Sequence, residues 1–171
     1  MDILNDIVVP CLIIFVACIA FGMMFNILRR HLIAAAIGAV VSEFVYSLLT
    51  GLEVSEVKSI FLAAAAVALY SEILARLFRS PVNMYLVVSI IPLVPGKTIY
   101  DTMITLVLGD SESFLSRLLD TFEAAGAIAM GIFMVSSVVR LIKDFREANG
   151  RKIIEAIHGL ASKHDDNIKK I

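Results

Sequence analysis

Apolar positions in this chain come in long blocks rather than in alternation. Five blocks are close to the roughly 20 residues needed to cross a hydrocarbon core: residues 7–27, 32–49, 59–77, 82–108 and 118–139. The fourth qualifies only if a Pro-Gly interruption at its centre is accepted. Beyond Val139 the pattern changes. The segment is charged, and Ile153, Ile154, Ile157, Leu160, Ala161, Ile168 and Ile171 recur at near-helical spacing, which predicts an amphipathic tail helix. Gly150 and Gly159 are expected to limit or bend it. The predicted fold is all-α: a polytopic membrane bundle over residues 1–142, its fourth segment broken, and a charged helical tail over 143–171.

Composition agrees. Of 171 residues, 59% are hydrophobic and the mean hydropathy is +0.89, which leaves too few polar residues to coat a water-soluble domain. The net charge of −1 and the lack of a basic patch interleaved with aromatics argue against a nucleic-acid partner. Cys11 and Cys18 fall seven residues apart in one apolar run. On a helix their α-carbons lie about 10 Å apart, too far for a disulfide. The opening MDILND is acidic and lacks the basic n-region of a signal peptide, so the first block is expected to be retained.

Lys and Arg set the expected orientation. Arg29 and Arg30 follow the first block, Lys58 the second, Arg76 and Arg79 the third and Arg117 the fourth, and eight more lie from Arg140 onward. With five crossings and the N-terminus outside, twelve of these are cytoplasmic and two external. A re-entrant fourth segment gives at best nine and five. The expectation is a multi-pass protein of the inner or plasma membrane, N-terminus outside and C-terminus in the cytoplasm. Rows of small residues, Ala34, Gly38 and Ser42, and Ala127 and Gly131, predict close helix packing in lipid, with subunit contacts and a homo-oligomer as the other use.

The break itself is IIPLVPGKTIYD, residues 90–101. Pro92 and Pro95 lack amide hydrogens, which would strand the carbonyls of Val88 and Ile91. Gly96 adds freedom. A helix stop near Ile91 and a restart near Thr98 are expected, with Thr98 as N-cap and Asp101 completing a capping-box pattern. Irregular backbone at membrane depth is tolerated only inside protein or beside a water-filled cavity, and broken helices that aim their ends at a substrate recur in transporters. The amides at 98–100 would suit a carboxylate and the stranded carbonyls a cation. A plain kink repaired by neighbours is the structural alternative.

Other charges inside the blocks extend this site. Lys97, expected near mid-membrane, would cost about 2.5–3.5 kcal/mol unpaired. Glu43, with no basic residue within a turn, is expected to carry a proton or to neutralise Lys97. Glu72 stands four residues before Arg76, the order that favours a helical ion pair. Glu123 sits near the outer end of the fifth block, where snorkelling competes with a pore role, and Asp120 is expected at the interface. His31, His158 and His164 fall at a membrane edge or in the tail. No HExxH, metal-ligand spacing, phosphate loop or GxSxG occurs, so neither a catalytic set nor a metal or cofactor site is predicted.

The stretch ARLFRSPVNMYLVVSIIPLVPGKTIYDTM, residues 75–103, resembles the threonine/serine exporter family in its shorter integral-membrane form. There a basic segment with a proline leads into an apolar run ending in PLVPG and followed by a tyrosine. The resemblance implies that Pro92, Pro95, Gly96 and Tyr100 belong to the family signature. It also implies a longer subunit of the same family as partner, and export of threonine and serine or, for some members, small dicarboxylates. Three readings therefore stand: an amino-acid exporter subunit, a dicarboxylate exporter such as one for succinate, and a non-transporting scaffold whose tail recruits a partner.

Overall fold

The computed structural model describes the backbone of residues 3–168 and the side chains of residues 7–146. It divides into two units, residues 1–136 and 137–171. The described backbone is helical apart from short connections, with no strand: α1 Ile3–Met24, α2 Arg29–Gly51, α3 Glu56–Phe78, α4 Asn83–Ile90, a 3-10 turn Ile91–Leu93, α5 Gly96–Leu108 and α6 Ser111–Ile168. Among the described residues four helices are long and apolar enough to cross a membrane, and α4 with α5 passes the same test only as a pair bent by 55° at the break, which is either a broken fifth span or a re-entrant loop. The all-α membrane bundle read from the hydropathy blocks is what forms. The helix of the second unit passes through Gly150 and Gly159 without a stop, so those glycines do not limit it. The side chains of the proposed tail stripe lie outside the described residues.

The bundle is built on small residues. Ala35, Ala36, Ala39, Ala63, Ala64 and Ala68 are buried, as are Ser42, Ser59, Ser71 and Ser89, while Leu12, Ile13, Val16, Leu62 and Phe133 face outward. Lipid solvates large apolar side chains as well as a protein core does, so helices gain by bringing backbones together instead. Gly38 shows this: a β-carbon there would strike the Ser89 side chain and stand 2.9 Å from the ring of Tyr70. Gly131 would put one 2.7 Å from the Phe61 carbonyl on α3. The small-residue rows are thus helix-packing seams within the bundle. Three of these four serine hydroxyls return to backbone carbonyls, Ser89 to Ala35 at 3.0 Å, Ser42 to Ala39 at 2.7 Å and Ser59 to Ser55 at 3.2 Å, while that of Ser71 has no partner. Tyr70 of α3 donates to the Ala34 carbonyl of α2 at 2.9 Å. Cys11 and Cys18 are free thiols.

Depth along the bundle follows from the packing partners. Tyr85, at the start of α4, stacks near Phe78, the last residue of α3. Leu93 packs in one cluster with Ala63 and Ala64, nearer the start of α3. Ala124 and Ala127 of α6 pack on Ile60. The α4–α5 pair therefore carries the chain from the Phe78 end of α3 toward its Glu56 end, and α6 returns alongside α3.

Candidate functional site

The backbone at the break repairs itself more fully than Pro92 and Pro95 suggest. The Ile91 amide donates to the Val88 carbonyl, which the Cys18 thiol also approaches at 3.7 Å, and the Ile91 carbonyl accepts from Val94 at 3.2 Å. Neither carbonyl is stranded, which corrects the expected cation-binding pair. The 3-10 turn supplies the repair, because an i to i+3 bond uses amides that precede or follow each proline.

The second half-helix starts earlier than expected. Pro95 is the N-cap residue and Gly96 the first helical one, so Thr98 is third in the helix and not its cap. Proline has the fixed φ a helix entry accepts and no amide to strand there. The Gly96 amide donates to Val94 at 2.7 Å and that of Ile99 to Pro95 at 3.0 Å. The open amides are thus those of Lys97 and Thr98, not the set at 98–100. Asp101 does not complete a capping box. Its Oδ2 accepts from Nη1 of Arg117 on α6 at 3.2 Å.

Two adjoining clefts meet at this restart. One, of about 240 Å³, is bordered by Tyr46 of α2, Glu56 and Ile60 of α3, and the break from Pro92 to Thr98. The other, of about 390 Å³, runs on past Lys97, Thr98 and Asp101 to Arg117, Asp120 and Glu123 of α6, and shares Glu56 and Ile60. Pro92, Pro95, Gly96, Lys97, Thr98, Asp101 and Glu123 each border one or both of these clefts, and Glu43 borders neither. Tyr100 is 65% exposed and lines neither cleft. Glu56 is the first residue of α3, so Lys97 stands near that helix end. Lys97 is exposed there. No ion pair joins Lys97 to Glu43; the Glu43 carboxylate accepts from Ser47 at 3.0 Å instead. Glu72 and Arg76 stand 3.9 Å apart, as the spacing predicts.

Glu56, Tyr46 and Arg117 were not singled out by sequence, and Asp120 was assigned to the interface alone. Their signal lies in topology. In the expected five-crossing arrangement the start of α3 and the start of α6 lie at the same membrane end, and the residues at 56, 97, 117, 120 and 123 share one cleft. Between α5 and α6 the contact is polar in an apolar setting. Beside the Asp101–Arg117 pair, the hydroxyls of Thr102 and Thr121 meet at 3.3 Å, with Thr102 buried and bonded back to Thr98 at 2.7 Å. Gly109, at φ +76°, closes α5, and Asp110 opens α6 by accepting the Ser113 amide at 3.2 Å. The LGD triplet at 108–110 is therefore a helix-to-helix turn.

A multi-span bundle of small-residue seams, with one span broken beside a cleft carrying both signs of charge, defines a polytopic membrane protein of the transporter type. The family model described as "Threonine/Serine exporter, ThrE" matches residues 10–138. The chain belongs to the threonine/serine exporter family. No curated protein and no solved structure matches it.

Proposed function

We propose that this chain is a membrane subunit of a secondary exporter for small amino acids such as threonine and serine, and that the substrate binds in the cleft between α3, α5 and α6. The observation that carries this reading is the cleft's charge pattern. Glu56, Asp101, Asp120 and Glu123 face Lys97 and Arg117. Asp101 and Arg117 are spent on each other, leaving three carboxylates around one ammonium. A zwitterion fits both signs. Its carboxylate goes to Lys97 and the open amides of Lys97 and Thr98, and its ammonium to Glu56 or Glu123. A dicarboxylate would gain Lys97 but meet the excess of acid. The volume, at the small end of the roughly 300–1,000 Å³ usual for ligand sites, suits a small substrate.

The orientation with N-terminus outside and the pairing with a longer subunit of the same family are part of the proposal. The first is supported by the Lys/Arg distribution, the second by the family resemblance. Glu43, half-buried within its span and bonded to Ser47, is proposed as the proton-carrying carboxylate. Glu43→Gln should fold normally and flatten the pH dependence of export; an unaltered pH profile removes it from that role.

The test is competition among threonine, serine and succinate in vesicles holding this chain with its longer partner. Threonine or serine should compete, and Glu56→Gln should weaken them by tenfold or more, as loss of a charge-assisted hydrogen bond of ~1.5–3 kcal/mol implies. Competition by succinate alone overturns the amino-acid reading. If no substrate competes and Pro92→Ala with Pro95→Ala leaves transport unchanged, the break is a packing kink.

A further inference from the structure

At the opposite end of α4 from the cleft lies a polar cluster that the exporter reading does not use. His31, in the first turn of α2, is 2% exposed, and Tyr85, in the first turn of α4, is fully buried. The Nδ1 of His31 meets the Tyr85 hydroxyl at 2.7 Å, and Nε of Arg30 donates to Nε2 of His31 at 2.9 Å. Phe78, the last residue of α3, packs edge-on against the imidazole with centroids 5.6 Å apart.

Donor arithmetic fixes the protonation state. A guanidinium has only donors and keeps its proton at any physiological pH. Its contact at 2.9 Å therefore requires a lone pair on Nε2 of His31. A neutral ring with that lone pair carries its hydrogen on Nδ1, which donates to the Tyr85 oxygen. The chain Arg30–His31–Tyr85 exists only with a neutral imidazole. A second proton would occupy the very lone pair that Arg30 uses and set two N–H groups, both on cations, head to head. Among the described residues no carboxylate is bonded to this cluster to absorb that charge. The groups that face the ring are Arg30 from α2, Tyr85 from α4 and the Phe78 edge from α3, with Arg79 next in chain after Phe78.

We infer that His31 is a proton-binding site that pins α2 to α4 when neutral and releases Arg30 and the start of α4 when protonated. Imidazole is the side chain that serves such switches. The inference does not rest on the exporter assignment, since it concerns how the bundle end is held. It does place a proton-sensitive joint on the rod whose far end, Leu93 to Thr98, borders the cleft.

The test uses the full chain in nanodiscs, both faces in contact with buffer, with Cys11→Ser and Cys18→Ala and a nitroxide on Asn83→Cys at the exposed start of α4. Lowering the pH from about 8 to about 5 should convert an immobilised spectrum to a mobile one in a single step. His31→Gln is the informative variant: its amide oxygen accepts from Arg30, its amide nitrogen donates to Tyr85, and it does not titrate. Its spectrum should stay immobilised throughout. An acid response of equal size in His31→Gln, or none in the parent, overturns the inference. Should His31→Gln fail to give a monodisperse protein, Arg30→Met decides. With no cation to expel, its acid-induced change should fall to less than half of the parent's, and an undiminished change is equally fatal.

Discussion

Gly131 and Gly126 are five residues apart on α6 and do opposite things. A β-carbon at Gly131 would press on backbone, 2.7 Å from the Phe61 carbonyl and 3.1 Å from the Ala65 amide, whereas at Gly126 it meets open space. Backbone cannot yield as a flexible side chain can, so Gly131→Ala should lose about 1–3 kcal/mol by overpacking. Gly126→Ala should be neutral or gain up to ~1 kcal/mol from helix propensity. Thermal melts of the two variants in one detergent check this; equal melting temperatures would contradict the seam. Asp110 supplies a different residue-scale test. Hydrogen bonds from Ser113, side chain first and then backbone, hold its carboxyl below the ordinary 3.8. A lowered folded-state value means the cap adds stability above the ordinary carboxylate range and loses it as pH falls through the lowered value. Asp110→Asn cannot titrate. The stability difference between wild type and this variant should therefore narrow as pH drops below 3.8, read from melting temperatures across an acid series.

Among the elements, α5 was the one least legible in advance. Hydropathy marks 82–108 as one apolar block, and the prolines mark a break. Neither says which turn carries the repair or that the restart sits beside Glu56. Thr98 looked like a cap because Ser and Thr lead at that position, but Pro95 entered the helix first and the Thr98 amide became one of the open ones. Asp101 looked local because its spacing from Thr98 fits a capping box, yet its partner Arg117 is sixteen residues away across a hairpin. Such pairings follow from the α5–α6 crossing and leave no periodic trace. By contrast the Glu72–Arg76 contact and the packing roles of Gly38 and Gly131 were legible, because helical spacing alone sets them. The clasp between α5 and α6 can be tested as a pair. Asp101→Arg and Arg117→Asp singly place like charges together and should each cut transport severalfold. The double exchange restores opposite charges and should recover most of it. Singles without effect, or a double no better than either single, would show that the ion pair does not hold the hairpin.

At the scale of the whole molecule the open issue is whether α4 and α5 complete a crossing. Packing argues that they do. Tyr85 lies by Phe78 at one end of α3, and Lys97 shares its cleft with Glu56 at the other. A re-entrant segment would bring α5 back to the Phe78 end, where it could not reach Glu56. Ala127 and Gly131 of α6 then meet Ile60, Phe61 and Ala64 of α3 in the same order along both chains, so the two helices run parallel, as the third and fifth crossings of a five-span bundle must. The Lys and Arg counts favour the proposed direction, in which the Arg29, Arg30, Arg76 and Arg79 end faces the cytoplasm. Single cysteines at Glu53, Arg79 and Asp110, each exposed in a connection, in the Cys11→Ser, Cys18→Ala background, resolve the alternatives. A membrane-impermeant maleimide applied to intact cells should label Glu53→Cys and Asp110→Cys and spare Arg79→Cys until the cells are opened. Labelling of Arg79→Cys together with Asp110→Cys from one side would make the fourth segment re-entrant. It would also place the acidic cleft residues of α3 and α6 on opposite faces of the membrane, which the shared cleft does not allow.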